Sequence, residues 1–123
     1  MGKTAVFVLS VLQQLPENPK PISALVICHT RELAYQIKNE FIRLSTHLHQ
    51  IRTEVIYGGI PIEEHVKMLK NHSKIPHILV GTPGRVLALA KRGVLDLNSV
   101  THFIIDECDR VLGVEGKLTL LTQ

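Results

Sequence analysis

A chain of 123 residues has room for one domain, and at 45% hydrophobic it carries material for a packed core. Aromatics make up only 4% and Trp is absent, so the core must be aliphatic, and such Val, Leu and Ile runs suit a parallel sheet buried on both faces. Lys plus Arg number 14 against 11 Asp plus Glu, and this scattered net charge of +3 permits a nucleic-acid partner without demanding one, while excluding a charged tail.

In chain order, Gly2-Lys3-Thr4 leads into an apolar helical segment, about Thr4–Leu15. Lys3 followed by Ala5 to Leu12 resembles the opening of a signal peptide, but Gln13-Gln14-Leu15-Pro16 offers no small-residue cleavage site. No apolar stretch reaches the roughly 20 residues of a membrane helix, so no membrane association is expected. Pro16 to Pro21 is the clearest loop, and Ala24 to Cys28 reads as a strand. Thr30 then caps a helix whose apolar positions, Leu33, Ile37, Phe41 and Leu44, recur at helical spacing. Thr53 to Tyr57 is a second strand, ending at Gly58-Gly59, and Pro61 suits the first turn of a helix through about Leu69. His77 to Gly81 is a third strand, after which Thr82 as cap and Pro83 at the first helical position start another helix. Phe103 to Ile105 is a fourth strand; it ends in Asp106-Glu107 and a short helix is expected beyond. Strands alternating with helices imply an α/β fold with a mostly parallel sheet, and ligands of such sheets bind beyond the C-terminal ends of the strands.

Every motif with chemical content lies there. In a phosphate loop, Gly lets the backbone approach, Lys supplies a point charge and Thr gives its hydroxyl to Mg²⁺, and Gly2-Lys3-Thr4 matches the end of that pattern. The same tripeptide also serves as an ordinary helix start with an exposed lysine. Asp106-Glu107-Cys108-Asp109 follows an aliphatic strand, which is how nucleotide hydrolases place one carboxylate near Mg²⁺ and a second to orient the attacking water. A solvated acidic turn capping the next helix would use the same residues. Thr82-Pro83-Gly84-Arg85 puts backbone amides and a guanidinium at a helix N-terminus, a natural phosphate site, and Thr30-Arg31-Glu32 repeats the design. Gly58-Gly59 permits close backbone approach after a strand. Three such sites on one sheet edge could track a nucleic-acid backbone without reading bases, though each alone is also ordinary capping and turn chemistry. Cys28 and Cys108 read as two reduced thiols, and the seven histidines, lacking ligand spacing, read as surface or loop residues.

Taken in order, Gly2-Lys3-Thr4, His29 to Ala34, Gly58-Gly59, Thr82 to Arg85 and Asp106 to Asp109 resemble the first RecA-like domain of the DEAD-box RNA helicases. The acidic box reads D-E-C-D, and His29 stands where most members have Pro; both features resemble the subgroup of splicing and nuclear mRNA-export helicases. The resemblance implies a P-loop NTPase fold over residues 1–112, incomplete for want of the strand before the phosphate loop, with residues 113–123 as a divergent tail. It implies ATP and Mg²⁺ as cofactors. Gly2, Lys3 and Thr4 would bind the nucleotide, Thr4 and Asp106 the metal, and Lys3, Asp106 and Glu107 would carry catalysis, with Asp109 coupling the box to a later motif. Thr30, Arg31, Gly58, Gly59, Thr82, Pro83, Gly84 and Arg85 would line an RNA-backbone path. It further implies a nuclear, and also cytoplasmic, protein that meets splicing or mRNA-export factors.

The adenine-recognising Q motif, the Ser-Ala-Thr motif and the second domain with its arginine finger have no counterpart in these 123 residues. Negligible ATPase activity of the chain by itself is therefore expected. The alternative is a non-catalytic short isoform that holds RNA backbone or a helicase partner. The first helix, apolar nearly all round, should bury against the sheet, and part of its surface and one sheet edge should stay exposed.

Overall fold

The computed structural model describes residues 2–47, 51–105 and 111–112, with 2–5 and 111–112 described for the backbone alone. The elements run α1 (Gly2–Gln14), β1 (Ala24–Ile27), α2 (Arg31–Leu44), β2 (Thr53–Ile56), α3 (Ile62–Lys70), β3 (Ile78–Gly81), α4 (Pro83–Lys91), β4 (His102–Ile105) and β5 (Val111–Leu112). They form one sheet of order β2-β3-β1-β4-β5. The first four strands in that order are mutually parallel, with Val26 of β1 opposite Val80 on one side and Ile104 on the other.

β1 and β3 lie inside the sheet and are buried along their whole length. Alternation of side chains along a strand then builds two cores from continuous aliphatic runs. Ala24, Val26 and Cys28 face α1 and α2, in a cluster with Val8, Val11, Phe41 and Ile104. Leu25 and Ile27 face α3 and α4, in a cluster with Val66, Leu69, Val86, Leu89 and Phe103. Each fully buried Val, Leu, Ile or Phe contributes about 1.5–3 kcal/mol, which is why so short a sheet can hold four helices.

The structure departs from two expectations. The short helix expected after the fourth strand is not what the described residues form. Val111–Leu112 instead pairs antiparallel with β4, Phe103 opposite Leu112 and Ile104 opposite Val111. The histidines are not all surface or loop residues, for His65, His77 and His102 are buried. Each satisfies a local hydrogen-bonding need. The Arg52 amide donates to His77 Nδ1 at 3.0 Å, and His102 Nε2 donates to Gln14 Oε1 at 2.9 Å. α1 buries Val8, Val11 and Leu12 as expected, while Val6 and Leu9 remain exposed.

Candidate nucleic-acid interface

The order β2-β3-β1 sets three strand ends side by side, and each releases the chain into one of the sequence motifs. After β1, Thr30 holds an extended backbone and its Oγ1 accepts the Leu33 amide at 3.1 Å, a true N-cap that starts α2 with Arg31 exposed in its first turn. After β2 come Tyr57, Gly58 and Gly59. Gly59 sits at φ 97°, a left-handed value that disfavours any side chain, and neither glycine has an atom near the place of a Cβ. After β3, Thr82 occupies the cap position of α4 with Pro83 following, but its hydroxyl makes no capping bond, unlike that of Thr30. Gly84, in the first turn of α4, likewise faces open space.

The three ends are also joined side chain to side chain. The Arg31 guanidinium lies over the Tyr57 ring, 4.9 Å from its centroid. Tyr35, one turn along α2 from Arg31, donates its hydroxyl to that of Tyr57 at 3.3 Å. Tyr57 meets the edge of His65 on α3 at 5.7 Å between centroids. His65 Nδ1 lies 3.0 Å from Arg85 Nη1, and Arg85 Nη2 donates to the Ile60 carbonyl at 2.9 Å. One connected set therefore links the segments after β1, β2 and β3. Tyr35, Tyr57 and His65 escaped the sequence reading. Two of them carried a signal, Tyr57 directly before the glycine pair and Tyr35 at the i+4 position from Arg31.

Electrostatics follow from that contact set. An arginine donates and cannot be deprotonated in a protein, so His65 Nδ1 must accept, which fixes a neutral ring with its proton on Nε2. Burial, then the charge of Arg85, hold His65 below the ordinary histidine range, against a smaller upward pull from Glu64. The hydroxyl contact with Tyr57, then burial, raise Tyr35 above its ordinary value. Two arginines, Arg31 and Arg85, are thus presented on an aromatic base beside glycines that leave the surface open. Glu63, the nearby carboxylate on α3, is paired with Arg92 at 3.1 Å.

The nucleotide motif is described in part. Gly2-Lys3-Thr4 forms the first turn of α1, and its side chains lie outside the described residues, as do Asp106, Glu107, Cys108 and Asp109. The direction of α1 is described. Its C-terminal Gln14 is tied to His102 at the start of β4, and Val8, Val11 and Leu12 pack across the sheet. Thirteen residues of helix rise about 1.5 Å each, more than the length of a four-residue strand, so the N-terminus of α1 reaches the edge where β4 ends at Ile105. No acidic residue stands in that first turn. A helix N-terminus free of carboxylate in its first turn leaves the positive end of the helix dipole open to an anion.

The sequence of residues 1–121 matches the family model described as DEAD/DEAH box helicase. The chain is 62% identical over 112 residues to DEAD-box ATP-dependent RNA helicase 15 of Arabidopsis thaliana, and 56% identical over 112 residues to ATP-dependent RNA helicase uap56 of Schizosaccharomyces pombe. Each match covers 91% of this chain and 26% of the relative, so the chain spans about a quarter of their length. Among solved structures, a hypothetical ATP-dependent RNA helicase from Sulfolobus tokodaii superposes with a TM-score of 0.70 at 29% identity, over 98% of this chain and 32% of the other. A yeast DEAD-box splicing factor superposes with a TM-score of 0.72 at 30% identity, over 88% and 26%.

Proposed function

We propose that this chain, which belongs to the DEAD/DEAH box helicase family, supplies the RNA-backbone grip and the nucleotide phosphate site of an ATP-dependent RNA helicase. The α/β sheet is the RecA-like fold of that family, and the relatives it matches are named ATP-dependent RNA helicases. The observation that carries the proposal is the connected set Arg31–Tyr57–His65–Arg85. It holds two guanidiniums at adjacent strand ends, beside Gly58, Gly59 and Gly84. Such an arrangement suits phosphates spaced along a strand. It presents cations, amides and open backbone, which read charge and shape and leave base identity unread.

In this reading Thr30, Arg31, Gly58, Gly59, Thr82, Pro83, Gly84 and Arg85 line the path of the RNA backbone. Gly2, Lys3 and Thr4 would hold the ATP phosphates at the start of α1. Thr4 and Asp106 would hold Mg²⁺, which neutralises charge on the phosphates when bound. Glu107 would orient the hydrolytic water, with Lys3 and Asp106 completing the catalytic set, and Asp109 would couple the box to the rest of the enzyme. Hydrolysis in this class draws on an arginine from a second domain, worth on the order of 10³-fold or more. The 123 residues assayed by themselves should therefore bind RNA and turn over little ATP. The D-E-C-D box, which resembles that of the splicing and mRNA-export subgroup, and the likeness to a structure described as a splicing factor support a role in splicing or mRNA export, in the nucleus, with protein factors of those pathways as partners.

Fluorescence anisotropy with labelled oligouridylate and a mixed-sequence RNA of equal length tests the grip. The two should bind alike, and affinity should fall linearly with log salt. Arg31→Ala should weaken both equally and reduce the salt slope by roughly 0.7, the value of one single-strand phosphate contact. Strong preference for one sequence, or a salt-insensitive affinity, would refute the proposal.

A further inference from the structure

We propose that His65 is a positioning residue for Arg85: its neutral ring, seated against Tyr57, accepts a hydrogen bond from the guanidinium and aims the remaining donors at the backbone of a bound single-stranded RNA. The inference rests on the reading above, that Arg85 meets RNA, and adds an acid-sensitive control to it.

The geometry leaves His65 one role. Its ring is held edge-on by Tyr57 from the end of β2, and it faces Arg85 from the first turn of α4. The residue is only 5% exposed. Arg85 spans from α4 to the segment after β2, fixed at one terminal nitrogen by the Ile60 carbonyl and at the other by His65. The carbonyl alone would leave the fork free to swing about Nη2, and the second bond fixes its plane. Planar, fixed donors are what make an arginine a directional phosphate ligand.

Protonation removes that fixing. The proton must go to Nδ1, the atom that accepts from Arg85, so one event breaks the bond and sets two cations side by side. The charged groups around the ring are Arg85 from α4 and Glu64 from its own helix, and Tyr57, directly after β2, packs against it. Glu63, one residue further back, is engaged by Arg92. Nearby positive charge and burial both resist protonation, so the bond persists at neutral pH and yields only on acidification.

The test compares the 123-residue chain with His65→Gln and His65→Phe, by anisotropy with labelled oligouridylate at pH 7.5 and 5.5 and fixed ionic strength. Gln can still accept from Arg85 but does not titrate; Phe keeps a ring against Tyr57 and cannot accept. His65→Gln should match the parent at pH 7.5. His65→Phe should bind about threefold to tenfold more weakly there, the effect of one hydrogen bond. On moving to pH 5.5, the parent should lose affinity relative to His65→Gln, a comparison that cancels the charging of other histidines. A parent that tracks His65→Gln at both pH values, or a His65→Phe variant that binds like the parent, overturns the proposal. Should the chain bind no oligouridylate, the RNA-grip reading fails and His65 is judged by its ring nitrogens. Nitrogen-15 shifts at pH 7.5 must show the Nε2–H tautomer, and a protonated or Nδ1–H ring overturns the positioning role by itself.

Discussion

At the scale of single residues, the clearest constraint is Gly81, the last residue of β3. A Cβ there would stand 2.7 Å from Val86 Cγ2 and 2.8 Å from Ile56 Cγ1. Both neighbours are buried, β-branched and hemmed by the second core, so neither can swing aside. Gly81→Ala should therefore destabilise the fold by about 1–3 kcal/mol, the usual cost of overpacking, read as a lower midpoint in urea with an unchanged slope. The buried histidines make a second residue-scale case. Burial is the largest cause holding His65, His77 and His102 below the ordinary value of about 6.5. Each is neutral in the folded chain, while the unfolded chain takes up protons as pH falls below 6.5. Stability is thus held above that pH and lost as pH falls from it through the lower folded-state values. Urea midpoints between pH 7.5 and 5 should decline accordingly, and His77→Gln with His102→Gln should flatten the decline.

At the scale of elements, the two helices that begin at strand ends have different starts. α2 opens on a side-chain cap and α4 does not. Thr30→Ala should cost about 1 kcal/mol and Thr82→Ala a few tenths, by the same urea measurement. A Thr82→Ala cost equal to that of Thr30→Ala would contradict the uncapped start of α4. The contrast also shows what a sequence conveys. Thr-x-x before an apolar helical period marked both helix starts correctly, and aliphatic runs ending in Gly, Cys or Asp marked four strands, because local propensity and core burial agree there. β5 was not legible: Val111 and Leu112 carry no alternation long enough to separate strand from helix, and only the open edge of β4 decides their pairing. The histidines were misread for a related reason. Whether a single His faces solvent or a carbonyl, amide or arginine depends on contacts distant in sequence, such as Gln14 with His102.

At the scale of the whole molecule, sheet order turns scattered motifs into one surface. In sequence, Arg31, Gly59 and Arg85 are far apart with no pattern to join them. The order β2-β3-β1 makes their strand ends neighbours, and Tyr57 and His65 weld them. The opposite edge of the sheet carries the loops at 71–74 and 96–100, together with the His102–Gln14 link, and holds none of the motifs that follow β1, β2 and β3. The central claim is that the three strand ends act as a single RNA-backbone surface. Its most direct test is a titration of oligouridylate into the nitrogen-15-labelled chain, following backbone amides. Arg31, Gly58, Gly59 and Gly84 should shift along one saturating curve with a single dissociation constant, while Ser73, Asp96 and Asn98 stay fixed. Shifts concentrated at Ser73, Asp96 and Asn98, or curves for the three strand ends that saturate independently, would contradict it.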